Sequence, residues 1–340
     1  MSYAPPFSIT PKILKQVAEI SEIIGRLSVR MEQTQALRLR RANRIRTVQG
    51  SLAIEGNTLS EAQITALLDG KRIIAPPKEV LEVQNALKAY EFLATWQSYH
   101  EQDLLEAHRI LMAGLLKNAG QYRHGNVGVM SGDAVVHMAP GADQVPRLMK
   151  DLLNWLKDAE HPALISSCIF HYEFEFIHPF ADGNGRMGRL WQTLILSQWQ
   201  PVFADIPVES LIHQYQSDYY RSIRTSTKKT DCAPFIEFML DIISKALHEV
   251  YHTTDIELVD EDYKTRVKTG VKTRVKTPDR ILELLAEQPA LSIKEIATHM
   301  DMSPSTIERA IAKLKQQNKL VFVGPKKSGY WQLLTNQIKN

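Results

Sequence analysis

Cysteine is nearly absent: Cys168 and Cys232 are the two in 340 residues, and they stand in unrelated contexts. That pattern excludes a disulfide framework and a thiolate-built metal centre, and it makes a reducing compartment the default. Long apolar runs are missing too. No stretch approaches the ~20 residues that a membrane-spanning helix needs, so no membrane partner is expected. The opening Met-Ser-Tyr-Ala-Pro-Pro has no basic segment followed by an apolar one and does not read as a signal peptide. A cytoplasmic protein is the expectation. A strong charge of one sign is also lacking: a net charge of +3 permits an anionic partner without demanding one.

What is present is helix. Hydrophobic residues make up 44% of a chain long enough for two domains. Ile13, Leu14, Val17, Ile20 and Ile24 recur at helical spacing, as do Val80, Val83, Leu87, Tyr90 and Leu93. Leu148, Leu152, Trp155 and Leu156 make a third such face, and Ile236, Met239, Leu240, Ile243 and Leu247 a fourth. Gly120 to Pro140 breaks the habit. Short Val-rich pieces separated by Gly125, Gly128, Gly132 and Asp133 predict a small β-hairpin there.

Near residue 252 the character changes. An acidic run, Asp255 to Asp262, precedes a duplicated hexapeptide, Lys264 to Thr269 and Lys272 to Thr277. Such a charge-blocked repeat reads as a linker, with a β-ribbon or basic arm as the second reading. Beyond it, Ile281, Leu284 and Leu285 form one helix face. Ser292 and Glu295 fit a capping box, and Ser303-Pro304 fits an N-cap followed by a first-turn proline. Two short strands, Leu320 to Val323 and Tyr330 to Leu333, flank a Gly324 to Gly329 turn. Three helices and a hairpin make a winged helix-turn-helix.

The chemistry concentrates in His178-Pro-Phe-Ala-Asp-Gly-Asn-Gly-Arg-Met-Gly-Arg189. Gly183, Asn184 and Gly185 tolerate crowded or left-handed backbone and sit directly before a helical pattern. Free amides at a helix N-terminus bind phosphate oxygens. Arg186 and Arg189, three apart, can reach one polyphosphate, and guanidinium donors match paired oxygens. Asp182 beside phosphates calls for a bridging Mg²⁺. His178 suits the removal of a proton from an attacking hydroxyl. Phe180 reads as a plug that fixes the loop. His171, Glu175 and His178 fall near helical spacing, but they match no familiar zinc pattern.

The string His-Pro-Phe-x-Asp-Gly-Asn-Gly-Arg-x-x-Arg resembles the defining motif of the Fic family at every fixed position. His171 to Ile177 resembles the family's approach helix. Gly120-Gln-Tyr-Arg123 and Met138-Ala-Pro140 resemble its segments on either side of the hairpin, and the likeness spans roughly 35 to 250. The resemblance implies transfer of AMP from Mg-ATP to a Ser, Thr or Tyr hydroxyl of a protein. His178 would be the base, Asp182 would hold Mg²⁺, and Gly183, Asn184, Gly185 and Arg186 would cradle the α- and β-phosphates. Arg189 would reach the γ-phosphate, and Tyr220 resembles a tyrosine bordering the nucleotide. The 120–140 hairpin resembles the flap that holds the protein substrate by strand addition. A kinase-like branch carries lysine where Gly185 stands here, so AMP transfer is favoured.

Ser51-Leu-Ala-Ile-Glu55-Gly56-Asn57 resembles the family's inhibitory motif, placed N-terminal to the catalytic one. Ser51 and Glu55 are four apart on a helix that Gly56 ends. A Glu55 paired with Arg189 would deny that arginine to the γ-phosphate. The same glutamate could serve removal of AMP, and self-modification and a homodimer stay open. Residues 291–340 carry eight basic side chains against three acidic ones. Ser305, Thr306 and Arg309 fall at the start of the recognition helix and Lys326 and Lys327 at the wing tip, so DNA and protein contact are both readings for this module. The domains are therefore expected at 1–110 (helical, with the inhibitory helix at about 45–56), 111–250 (the Fic catalytic core), 251–277 (a charged linker) and 278–335 (the winged helix-turn-helix). The fold class is mostly α, a Fic helical domain with a hairpin flap plus that module. The rival reading is a DNA-binding regulator whose Fic domain senses nucleotide.

Overall fold

The computed structural model describes residues 3–33, 37–131, 134–268, 281–282, 284–286, 288–300, 302–317, 319–325 and 329–334, with the backbone alone at 28–33, 37–38, 128–131, 134–138 and 254–268. Two compact units are present, Met1–Leu258 and Val259–Asn340.

The first unit is built from α1 (Pro11–Gln33), α2 (Leu37–Ile54), α3 (Glu61–Leu68), α4 (Pro77–Phe92), α5 (Glu101–Leu111), α6 (Val145–Lys157), α7 (Ala163–Ile177), α8 (Asn184–Trp199), α9 (Val208–Gln214), α10 (Gln216–Lys229) and the part of α11 (Ala233–Lys268) that runs to Leu258. Between α5 and α6 stands the hairpin expected from the glycine-rich segment. Strand β1 (Gly128–Ser131) pairs antiparallel with β2 (Ala134–Met138), with a register shift at Val129/Met130. Gly132 and Asp133 lie outside the described residues.

Helices α7 and α8 occupy the centre and pack on one another. Both are buried on nearly every side, α7 with Phe170, Phe174 and Ile177 and α8 with Leu190, Trp191 and Leu194. One core cluster gathers these side chains with Phe180 and α4–α6, and a second gathers Ile13, Ile20, Phe203, Phe235 and Ile243. Leu14, which the periodicity puts on the inner face of α1, is 60% exposed. Cys168 and Cys232 are buried free thiols.

Helix α2 packs on α9 so closely that glycine is required between them. A Cβ at Gly50 would stand 2.6 Å from the Ser210 backbone. Helix α2 stops at Ile54. Glu55 and Gly56 close the end with amide bonds to Leu52 and Ala53, and Gly56 takes the left-handed φ of 90° that a C-terminal cap uses. The segment from Ser51 to Asn57 is thus a helix end fixed by a close backbone contact one residue upstream.

Helix α11 differs from the linker reading. Residues 251–268 continue its backbone, acidic run included. Asp260 and Lys264, then Asp262 and Arg266, stand four apart in the acid-before-base order that supports a helix. Residues 269–280, with Thr269 of the first hexapeptide and all of the second, lie outside the described residues.

In the second unit the backbone is helical at 281–282 and 284–286, followed by α12 (Ile293–His299), α13 (Pro304–Gln316), β3 (Leu320–Val323) and β4 (Tyr330–Leu333), the last two paired antiparallel. Both bonds of the Ser292–Glu295 capping box form, and Ser303 caps α13 by accepting from the Thr306 amide. Ile281, Leu285, Ile296, Ile307, Ile311, Leu314 and Trp331 make its core. This is the three-helix and hairpin layout expected. Among the described residues no helix is long and apolar enough to cross a membrane.

Candidate active site

The site is the loop that joins the two central helices. At the end of α7, His178 takes a left-handed conformation, φ 50° and ψ 62°. For a side chain larger than glycine this costs about 1 kcal/mol or more, so the surroundings must hold it. Arg123 does so. Its buried guanidinium donates to the carbonyls of His178 (2.7 Å), Ile177 (3.3 Å), Gly125 (2.9 Å) and Pro140 (2.5 Å), and its amide donates to Pro179 (2.9 Å). One side chain therefore ties both ends of the hairpin segment to the turn at His178.

Phe180 is fully buried, the plug that its setting suggested, and its ring lies 3.6 Å from that of His108 at an interplanar angle of 3°. The tautomer of His108 follows from its partners. Nδ1 accepts from the Gly120 amide at 2.8 Å, so Nε2 carries the proton and donates to the Asp182 carbonyl at 3.0 Å. Burial drives His108 down to about 4, which keeps it neutral and the tautomer fixed. Asn184 turns its amide inward, accepting from the Phe180 amide at 2.8 Å and donating to the Phe180 carbonyl at 2.9 Å. Its side chain closes the loop, so what it offers a ligand is backbone.

Gly183 caps α8 with φ 85°, and a Cβ there would stand 2.8 Å from Met112 Sδ. Glycine is needed for both conformation and space. Asp182 Oδ1 accepts from the Gly183 amide at 2.6 Å and from Arg186 at 3.2 Å, and the side chain is 59% exposed.

The two arginines have separate partners. Arg186, buried, lies 3.6 Å from Glu82 of α4, and Glu82 in turn accepts from Asn57 Nδ2 at 2.9 Å. Arg189, also buried, donates from Nε to Ser51 Oγ (3.1 Å) and from Nη2 to the Ser51 carbonyl (3.0 Å) and Glu55 Oε1 (2.7 Å). The structure thus joins Ser51, Glu55 and Arg189 across 134 to 138 residues of sequence. A Cβ at Gly185 would collide with the same Glu55 carboxylate. Tyr220 is half-buried on α10, and burial, then the Glu55 charge, raises its phenol. From the same helix Gln216 donates to the Ile54 carbonyl at 3.0 Å and steadies the end of α2.

Behind Arg189 lies Glu209, fully buried, which accepts from Tyr90 (2.9 Å) and Thr193 (2.8 Å). Burial pushes its carboxyl above the usual range. His171 is engaged on both nitrogens, by Gln192 Oε1 at 2.7 Å and Tyr219 Oη at 3.0 Å, which leaves it no free nitrogen for a metal. Among the described residues no three His, Cys, Asp or Glu side chains cluster as a metal cage.

Sequence reasoning missed His108, Glu82, Glu209 and Gln216 as parts of this site and took Arg123 only as part of a likeness. None belongs to a dense motif. A single signal existed: a histidine inside the amphipathic α5, where an apolar residue would serve packing equally well.

A helix, a left-handed histidine, a phosphate-type loop and a second helix, with a hairpin clamped beside them, define a Fic domain. Residues 98–196 match the model of the Fic/DOC family, and residues 279–330 match that of an HTH domain. A solved Fic family protein from Desulfovibrio desulfuricans G20 is 42% identical, with a TM-score of 0.71 over 99% of this chain and 100% of that one. The chain belongs to the Fic family. It is also 28% identical to the protein adenylyltransferase Fic of Drosophila mojavensis, over 68% of this chain and 46% of that protein. The Nematostella vectensis protein of the same name is 30% identical over 61% of this chain and 48% of that protein. The chain spans about half the length of these curated relatives. Fic-1 of C. elegans, 22% identical with a TM-score of 0.58, shares the fold over 72% of this chain and 73% of that one.

Proposed function

We propose that this protein transfers AMP from ATP to a hydroxyl of a protein and holds itself inactive through Glu55. His178 Nε2 takes the proton of the attacking Ser, Thr or Tyr hydroxyl. The oxygen–Pα bond forms, the bond from Pα to the β-phosphate oxygen breaks, and pyrophosphate leaves. The amides of Gly183, Asn184 and Gly185 at the N-terminus of α8, with Arg186, receive the phosphates. Arg189 is the γ-phosphate ligand. The observation that carries the reading is the Arg189–Glu55 bond of 2.7 Å inside a 1% exposed guanidinium site. A carboxylate there stands where a phosphate oxygen would stand.

Mg²⁺ fits the residues present. Asp182 offers a largely exposed carboxylate at the mouth of the phosphate loop, and Mg²⁺ is ordinarily held by one or two carboxylates plus substrate phosphates rather than by a protein cage. When bound it would neutralise phosphate charge. The hairpin supports substrate binding by strand addition: Arg123 fixes both of its ends against the His178 turn, so a substrate strand paired with β1 or β2 is held beside His178.

The test uses ATP radiolabelled at the α- or the γ-phosphate, with Glu55→Gly as the enzyme. Protein labelled from the α-position alone, and not at all with His178→Ala, is the expected result. Label from the γ-position would make the enzyme a kinase and refute the reading. Removal of AMP would appear as loss of label on incubation without ATP.

The HTH match supports a second role, contact with DNA through α13. Ser303, Ser305 and Arg309 lie exposed at its start, while Lys326, Lys327 and Lys339 lie outside the described residues. A gel shift with random duplex over a salt series checks this, and no binding at low salt rejects it.

A further inference from the structure

Glu175 lies one turn before His178 on α7 and belongs to no role assigned above. Its carboxylate is sealed in. Oε2 is 3.9 Å from His178 Nδ1, Oε1 is 4.0 Å from His171 Nε2, and a Cβ at Gly188 would stand 3.1 Å from Oε1. The side chain is 11% exposed.

The two imidazoles beside it are not equivalent. His171 Nδ1 faces the Gln192 carbonyl oxygen, an acceptor, so Nδ1 holds the proton and Nε2 accepts from the Tyr219 hydroxyl. Burial pushes His171 down to about 3 and keeps it neutral. It has no proton to give Glu175. His178, in the left-handed turn at the end of α7 and 22% exposed, is the other ring that faces it.

We propose that Glu175 is the positioning residue of the transfer: it faces Nδ1 of His178, selects the tautomer protonated there, and thereby presents the Nε2 lone pair to the incoming hydroxyl. Its negative charge then supports the imidazolium that forms. The proposal rests on His178 as the base, and the logic is that of a carboxylate that orients and charges a catalytic imidazole without itself touching substrate. A separation of 3.9 Å in the resting state is ordinary for a bond that tightens only with substrate in place.

The brake reaches this pair as well. The groups facing Glu175 are His171 and His178 from α7 and its end, Arg189 from α8, Glu55 from the end of α2, and Tyr219 and Tyr220 from α10. Burial pushes the Glu175 carboxyl up to about 7, Arg189 pulls it down, and Glu55 pushes it further up. Departure of Glu55 therefore favours the ionised carboxylate at the moment that Arg189 becomes available to phosphate.

The experiment follows the His178 ring protons by NMR in Glu55→Gly protein, assigned by their loss in Glu55→Gly/His178→Ala, with and without Glu175→Gln. An opposite charge within about 4–6 Å supports an imidazolium by roughly one pKa unit or more. The His178 midpoint is expected to fall by about that much with Glu175→Gln, and the acid limb of the labelling rate to move with it. Turnover should drop about 10- to 100-fold at unchanged KM for ATP. Glu175→Asp, which retains charge, keeps the midpoint high and covers the case in which the glutamine variant does not fold. A His178 midpoint unmoved by Glu175→Gln overturns the pairing even where labelling falls. Labelling that survives His178→Ala overturns the base reading itself, and the proposal with it.

Discussion

Replacing Glu55 with glycine removes the carboxylate bonded to Arg189 Nη2 at 2.7 Å and leaves a 1% exposed guanidinium with its two bonds to Ser51. Breaking a fully buried pair costs about 3–5 kcal/mol, whereas an exposed pair contributes about 0–1 kcal/mol. Glu55 is 37% exposed, which places this pair between the limits at about 1–2 kcal/mol. Glycine adds little to that cost, because Glu55 stands in the closing turn beyond α2. A unit of this size loses roughly 2–4 °C of melting temperature per kcal/mol, so the variant should melt about 2–8 °C below wild type. ATP should close most of this gap. Ligand at a hundred times its Kd stabilises by about 2.7 kcal/mol, and the variant gains all of it, while wild type must first surrender the Glu55 bond. Scanning calorimetry of both proteins with and without Mg-ATP measures the four values. A variant that melts as high as wild type, or gains no more from ATP, refutes the competition between Glu55 and phosphate.

Gly50→Ala should release the brake from behind. Its Cβ would meet the backbone of Ser210 and Glu209 at 2.6–2.7 Å, and no rotamer relieves a backbone clash. We expect about 1–3 kcal/mol of destabilisation and raised basal labelling, read by thermal melts and label incorporation; wild-type values in both would contradict the packing argument. His108 makes a pH prediction. Its folded value near 4 lies below the unfolded 6.5, so its stabilising neutral form is fully matched above pH 6.5 and stability is lost as pH falls from there towards 4, by up to about 3 kcal/mol. Buried Glu173, Glu175 and Glu209 have raised values and oppose this trend. The measurement is therefore a difference: denaturant stability of His108→Gln should fall less steeply than that of wild type between pH 6.5 and 4. Parallel slopes would reject the assignment.

How far these features could be read from the chain depended on how local their causes were. The loop from His178 to Arg189 was legible because twelve adjacent residues carry it. The caps at Ser292 and Ser303 and the end of α2 at Gly56 were legible because capping is a matter of three or four neighbours. Ser51 and Glu55 were visible by their spacing, yet their junction with Arg189 needs α2 to lie against α8, which periodicity does not dictate. Arg123, His108, Glu82 and Glu209 act through partners 25 to 119 residues away, and each alone looks like an ordinary polar residue on a helix or turn. The acidic run at 255–262 shows a different case, because its backbone is helical. Its composition resembles a linker, while its spacing supports a helix.

The proposed function rests on Glu55 keeping Arg189 from the nucleotide. Its most direct test is the rate at which label passes from α-phosphate-radiolabelled ATP to protein, compared between wild type and Glu55→Gly at equal concentration. A misplaced phosphate of about 1 Å costs on the order of a hundredfold in rate, and a gain of that order in Glu55→Gly, absent from Glu55→Gly/Arg189→Ala, is the predicted result. Equal labelling by wild type and Glu55→Gly would contradict it.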